Sequence, residues 1–433
     1  MKRLICISLL ACLLVTGCQE QSNQPTVATA APTEAATLPP QFDFHLEYSD
    51  PTVVVQGKPS ETTWGQYQFP NLYYTVEGAI MATWQYGTDS IRYDGTTGRM
   101  ASMDGGKTWG PCASLRRSDY VTMSNGLQFQ GFGGEGAHEY TAADLGNARG
   151  VKAGDYTVFL AEDLPDGIDT TVTASVYDPN TGESSKFAVT LNWPYAPVSI
   201  HPEGLLYPLT QSFNLSNRNI ISIDGVLYIC MYCIGFDSTA PNRNAAVKGL
   251  SGYENVYVLR SEDCGKTWDF VSQVLSKDRF SGDENGFSEP NMIVMPDGSV
   301  VMLMRSGNYS PLYYVRSTDN CRTWSEPVQF DEYGVRPRLL TLGCGVTIAT
   351  YGRPGMKVRA TSDPAGIEWE DYPEWENPRG SGKSCYYTDL LPLDDYRALM
   401  IYTHFQYPNK DGIPVKTVLT RVITVVPDDE GEK

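Results

Sequence analysis

The chain has 433 residues and a formal net charge of −18, from 51 acidic against 33 basic side chains. That acidic surplus excludes a general nucleic-acid binder, which neutralises phosphates with Lys and Arg. Four histidines leave little material for a His-rich metal centre. The 40 glycines, 28 prolines and 27 tyrosines suit a β-rich chain with many turns rather than a helical bundle.

Taken in chain order, the first element is an address. Lys2 and Arg3 form a positive start, and Leu4 to Val15 is an apolar run too short to span a bilayer. Val15-Thr16-Gly17-Cys18 follows, and it resembles the bacterial lipobox, whose cysteine becomes the lipidated first residue of the mature chain. Residues 1–17 are therefore expected to be a lipoprotein signal peptide. Residues 18–40, rich in Gln, Thr, Ala and Pro, read as a disordered tether behind a lipidated Cys18. The folded part, 41–433, is expected in the bacterial cell envelope as a monomer touching the membrane only through that lipid. Beyond the signal and Cys18, seven of the ten cysteines remain, an odd number that cannot all pair. Cys230-x-x-Cys233 has a redox or zinc spacing, but it lies in the apolar run Val226 to Ile234 without a second such pair or a nearby His. It reads as part of a strand.

The body repeats itself. Ser102-x-Asp104-x-Gly106-x-Thr108-Trp109 recurs as Ser261-x-Asp263-x-Gly265-x-Thr267-Trp268 and as Ser317-x-Asp319-x-Cys321-x-Thr323-Trp324. A degraded copy runs from Ser362 to Trp369. These residues suit a tight turn. The Asp accepts turn N–H groups, glycine permits unusual backbone angles, and the Trp buries beside the next strand.

Paired apolar runs accompany the copies and predict hairpins. They span Leu72 to Trp84, Ile220 to Tyr232, Asn291 to Arg305, Arg338 to Tyr351 and Asp389 to Tyr402. The turns are centred on Glu77-Gly78, Asp224-Gly225, Asp297-Gly298, Cys344-Gly345 and Asp394-Asp395. Each unit predicts a four-stranded antiparallel meander. Residues 113–200 lack the motif but hold β-rich runs at Tyr156 to Ala161, Thr170 to Tyr177 and Lys186 to Trp193. They are expected to form one divergent blade with long loops. The expected architecture is all-β, a six-bladed β-propeller, with Thr52 to Gln56 closing the ring against Val418 to Val426.

The Ser-x-Asp-x-Gly-x-Thr-Trp copies resemble the Asp boxes of the sialidase superfamily, over roughly residues 50–425. Asp boxes mark that fold better than they mark a reaction. The resemblance implies a retaining exo-glycosidase with a tyrosine nucleophile, a glutamate partner, an aspartate acid/base and three arginines for an anionic sugar. The tyrosine departs from the two-carboxylate scheme of most glycosidases. A neutral phenol avoids repelling an anionic substrate, and a base must draw off its proton because a free tyrosine ionises only near pH ~10.

Residue by residue, Phe287-Ser288-Glu289-Pro290-Asn291 is similar to the glutamate segment, so Glu289 is the candidate partner. Arg305, ending Met302-Leu303-Met304-Arg305, matches the central arginine. Arg353, in Tyr351-Gly352-Arg353-Pro354, stands where a further arginine is expected, with Arg336, Arg338 and Arg359 as alternatives. Ser384-Cys385-Tyr386-Tyr387-Thr388-Asp389 resembles the nucleophile strand, giving Tyr387, or Tyr386. Asp89 and Asp94 both follow the first hairpin, where the aspartate belongs. In Tyr67-Gln68-Phe69-Pro70-Asn71, Gln68 occupies the place of the first arginine. A glutamine can hydrogen-bond a carboxylate but brings neither charge nor a bidentate fork.

The implied activity hydrolyses terminal acidic sugars from a glycan, and the chemistry calls for no metal or cofactor. Two other readings are a propeller enzyme for a different glycan, and a non-catalytic surface module binding glycan or protein.

Overall fold

The computed structural model describes residues 41–87, 96–112, 115–133, 138–153, 156–200, 205–207, 219–249, 254–275, 286–307, 310–353, 355–375 and 387–428. Within them the regular structure is almost wholly β, with two short α-helices, Ala142–Leu145 and Arg243–Lys248, and a 3-10 helix at Ala161–Asp163.

All five predicted hairpins form. Gln68–Tyr74 pairs with Ile80–Tyr86, and Ile220–Ile223 with Val226–Ile234. Ser288–Val294 pairs with Val300–Arg305, Val335–Thr341 with Thr347–Gly352, and Thr388–Pro392 with Arg397–Pro408. In each case the first strand lies at the edge of its sheet and later strands follow outward. The turn chemistry is as the residues demand: Gly78, Gly225, Gly298 and Gly345 all take positive φ, which glycine alone adopts without a steric penalty.

The Asp boxes are turn locks. Asp104 accepts Thr108 N–H at 2.9 Å and the Thr108 hydroxyl at 2.6 Å, while Ser102 Oγ accepts Gly106 N–H at 2.8 Å. Asp263 and Asp319 repeat the bond to Thr267 N and Thr323 N, and Asp363 of the degraded copy accepts Ile367 N–H at 2.8 Å. The Asp104 carboxyl is held down to about 2, first by its bonds to Thr108. Each tryptophan ties down its surroundings. Trp109 Nε1 donates to Thr420 and Trp324 Nε1 to Ser272 in neighbouring sheets, and Trp268 is fully buried.

Successive sheets pack face to face. Leu227, Ile229 and Leu259 meet Phe129, Ala174 and Val176. On the other face of that same sheet, Cys230, Val256 and Val258 meet Met292, Met302 and Val315. The Cys230-x-x-Cys233 spacing is thereby explained. Residues three apart on a strand point to opposite faces, so Cys230 enters one core and Cys233 the other. The stacking continues through Leu303 and Ala349, then Ile348 and Met400, then Ile401 and Ala82. Backbone bonds link the hairpin end at Tyr74 to Ser118 (2.9 Å) and Val76 to Arg116 (2.9 Å) ahead of Val121–Thr122.

One feature differs from the expectation. Residues 113–200 do not make a single divergent blade. Val121–Thr122, Gln128–Gly133, Thr173–Asp178 and Glu183–Ala188 form one four-stranded sheet. Tyr156–Leu160 leaves it for a separate sheet with His138–Glu139, Val151–Ala153, Pro197–Ile200 and Leu205–Tyr207. Val158 and Leu160 bury against Phe236 and Ala246, a core of their own that the meander cannot supply. Thr190–Asn192 runs parallel to Thr267–Leu275 as an extra outer strand. The expected pairing of the chain ends forms. Thr52–Gln56 does pair with the last strand, at Thr52↔Thr420 to Gln56↔Thr417, and Phe44–Tyr48 pairs along the same strand at Phe44↔Pro427. The last hairpin lacks an Asp box because its outer strands come from the start of the folded part.

Candidate active site

Three of the sheets open their edge strand with the same device. Phe69, Glu289 and Arg336 each precede a proline, each takes a positive φ (53°, 46° and 43°), and each sits where the register with the next strand shifts. A β-bulge re-aims a side chain at the cost of local strain, and such strain collects at functional sites. The residue ahead of each bulge is driven inward: Ser288 and Val335 are buried, and Gln68 is 0% exposed. The bulged residues converge instead on Tyr387, which stands just before Thr388–Pro392.

The convergence is close. Tyr387 Oη donates to Glu289 Oε1 at 3.0 Å, and Arg305 Nη1 donates to the same oxygen at 3.0 Å. The backbone N–H of Arg336 donates to Glu289 Oε2 at 2.9 Å. The Arg336 guanidinium lies 5.2 Å from the centre of the Tyr387 ring and 5.7 Å from that of Phe69, and its Nη2 donates to Asn71 Oδ1 at 3.3 Å. The Phe69 and Tyr387 rings are 4.9 Å apart. Arg305 is further steadied by Nε donating to Gly307 O at 2.7 Å.

Charge decides what this cluster can do. The Glu289 and Arg305 side chains are only 11% and 15% exposed. Burial pushes the Glu289 carboxyl up, but the Arg305 and Arg336 charges and the Tyr387 bond outweigh it, so its pKa falls below the ordinary value. Burial likewise disfavours the Arg305 cation, and the Glu289 charge more than compensates. Glu289 is thus an ionised carboxylate in hydrogen-bond contact with a phenol, the arrangement needed to accept its proton.

The strand beneath the tyrosine is held by buried polar groups. Asp389 Oδ2 accepts Leu72 N–H at 2.9 Å, and Asp389 Oδ1 lies 3.5 Å from Arg338 Nε with both side chains buried. One sheet further on, Asn291 Oδ1 accepts Leu339 N–H at 2.8 Å, and Asn291 Nδ2 donates to Asn219 at 3.1 Å. These bonds tie one edge strand to the next and fix the spacing of the bulges.

Of the residues singled out from sequence, the structure brings Tyr387, Glu289 and Arg305 into contact. Arg353 follows Thr347–Gly352, and Gly352 pairs with Val335, so it lies at the same end of its sheet as Arg336. Arg338 is taken up by Asp389, and Arg359 by Asp371 and the Phe330 carbonyl. Asp89, Asp94, Tyr386 and Cys18 lie outside the described residues. Sequence reasoning missed Phe69 and gave Arg336 only as a substitute. Their signal was present in Gln68-Phe69-Pro70, Ser288-Glu289-Pro290 and Val335-Arg336-Pro337, a recurrence of a pre-proline residue at the start of an edge strand. It also missed Glu254, whose carboxyl bonds Ser288 and feels both Glu289 and Arg305. Burial first, then the Glu289 charge, push it up to about 7.

A BNR repeat-like domain matches residues 224–399. No curated protein sequence matches the chain. Among solved structures, the chain is similar to a protein of unknown function from Dyadobacter fermentans, with 16% identity over 88% of this chain and 99% of that one, and a TM-score of 0.57. It is also similar to a Hadza microbial sialidase (15% identity, 84% and 66% covered, TM-score 0.41) and to an α-L-arabinanase from Penicillium chrysogenum complexed with arabinobiose (13% identity, 86% and 98% covered, TM-score 0.45). The Dyadobacter protein shares the fold.

Proposed function

We propose that the chain is a sialidase-like glycoside hydrolase built as a six-bladed propeller, with a retaining mechanism centred on Tyr387. One observation carries the reading: the Tyr387 hydroxyl is bonded to an ionised, partly buried Glu289 that Arg305 holds in place. Glu289 takes the phenol proton as Tyr387 Oη bonds to the anomeric carbon and the glycosidic bond breaks. Asp89 or Asp94 gives a proton to the leaving oxygen. Water then attacks the glycosyl-tyrosine and gives a proton back to the same aspartate, and the released tyrosine recovers its proton from Glu289. The role of a positioned base in such a step is worth roughly 10²–10⁴ in rate. Six meander sheets in succession, with the chain ends paired in the last, support the propeller.

Arg305, Arg336 and Arg353 supply the positive charge for an acidic group on the sugar. A second reading, a different and less acidic glycan, is favoured by one specific feature. Where the resemblance calls for a first arginine, Gln68 is wholly buried and the bulge offers the Phe69 ring instead. Loss of one charge-assisted contact would cost about 1.5–3 kcal/mol of carboxylate binding. We also propose that the chain is exported and anchored in the cell envelope through Cys18.

The test is hydrolysis of a fluorogenic sialoside beside a panel of neutral and acidic glycosides by wild type and Tyr387→Phe. Cleavage of at least one glycoside, lost in Tyr387→Phe, is expected. Cleavage that survives the substitution overturns the nucleophile, and a silent panel favours the binding module.

A further inference from the structure

The aromatic contacts of Tyr387 do not end at Phe69. Phe405, near the end of Arg397–Pro408, packs on the cluster formed by Tyr387 and Val335. Its ring meets the Trp64 indole edge to face, with centroids 5.9 Å apart. Trp64 is 42% exposed, yet the segment that carries it is fastened. Lys416 Nζ donates to the Thr63 carbonyl, its ammonium lies 5.3 Å from the centre of the Phe405 ring, and Gly57 N–H donates to the Lys416 carbonyl at 2.7 Å. Trp64 thus continues a run of rings that begins at the proposed nucleophile.

A half-exposed indole held in place beside a polar cluster offers contact area at little entropic cost. The apolar C–H face of a pyranose is the shape that fits it. Chain order chooses which sugar. Trp64 lies four residues before Gln68, and Gln68 pairs with Gln85, so the shelf meets its sheet at the end where Ile80–Tyr86 finishes, and Asp89 and Asp94, the candidates for protonating the leaving oxygen, follow that strand in the sequence.

The geometry points to Trp64 and Phe405 as a stacking subsite for a neutral pyranose of the leaving glycan, next to the Tyr387–Glu289 pair. This rests on the hydrolase reading for its role in turnover, but the binding itself does not. The arginine side takes the terminal sugar, and the Trp64 side takes the sugar from which it is cut.

Two measurements on the purified full chain test this and separate it from the hydrolase reading. The first is quenching of tryptophan fluorescence by lactose, used as a neutral disaccharide probe, on Tyr387→Phe with and without Trp64→Ala. Saturable quenching that disappears with Trp64→Ala, while far-UV circular dichroism is preserved, is expected. The second compares kcat/KM on a glycosyl fluoride and on a disaccharide glycoside of the same donor sugar. Trp64→Ala should lower the disaccharide value roughly tenfold or more beyond any fall on the fluoride, and Trp64→Phe should restore most of the difference. Equal falls on both substrates, or lactose quenching that persists in Trp64→Ala, overturn the subsite. Lactose binding through Trp64 with no glycoside cleaved keeps the subsite and overturns the hydrolase.

Discussion

Glu289→Gln removes one charge and reverses one hydrogen-bond sense at the centre of the proposed site. The carboxylate receives three donors: Tyr387 Oη and Arg305 Nη1 on one oxygen, and Arg336 N–H on the other. An amide has one acceptor oxygen and one donor nitrogen. Whichever way it turns, at least one of these donors faces an N–H, and Arg305 keeps its charge without a counter-charge. Breaking a fully buried ion pair costs about 3–5 kcal/mol. Both side chains here retain some exposure, so the expected loss is about 2–3 kcal/mol. The sign with pH is fixed by linkage. The folded pKa of Glu289 lies below the ordinary carboxylate value of about 4.3, so its contribution is full above that value and fades as pH falls through the folded one. Urea unfolding followed by tryptophan fluorescence should show the gap between wild type and variant at pH 7, narrowing as the pH drops below the ordinary carboxylate value of about 4.3. A gap under about 0.5 kcal/mol at pH 7, within the range of an ordinary surface substitution, or one that widens on acidification would refute the account of Glu289 as a charge-paired carboxylate.

Other expectations follow from the same contacts. Glu254, pushed up to about 7, binds a proton in the folded chain that the unfolded chain releases near pH ~4.3. Wild type should therefore lose stability as pH rises between those values, and Glu254→Gln should flatten that slope in a pH series of urea midpoints. Asp389→Ala strands Arg338 in a buried setting and frees Leu72 N–H, and about 3–5 kcal/mol should be lost in the same unfolding assay. Trp268→Ala opens a cavity at a fully buried ring and should cost about 3–5 kcal/mol. Asp263→Ala, which releases the Lys266 and Thr267 N–H groups at the surface, should cost only about 1–2 kcal/mol.

Local chemistry accounts for what could be read without coordinates. A Gly at a hairpin turn, an Asp that reaches amides three and four residues away, and a Trp beside it act over short stretches of chain. Their recurrence announced meander sheets, and the glycines at 78, 225, 298 and 345 adopt the backbone that made them necessary. The pairing of Thr52–Gln56 with the last strand was legible because two β-rich ends lacked partners. The sheet built on Tyr156–Leu160 was not. Its strands come from segments on both sides of Thr173–Asp178, and no local pattern tells one sheet edge from another.

The site divides along the same line. Sequence, through its resemblance, picked out Glu289 and Arg305 on one hairpin and Tyr387, or Tyr386, at the start of another. Only tertiary structure decided that they meet at 3.0 Å, because Tyr387 and Glu289 are 98 positions apart in the chain. It also decided that Phe69 stacks on Tyr387 while Gln68 is covered. A bulge shifts the strand's alternation by one residue, and alternation determines which neighbour reaches the site and which is buried.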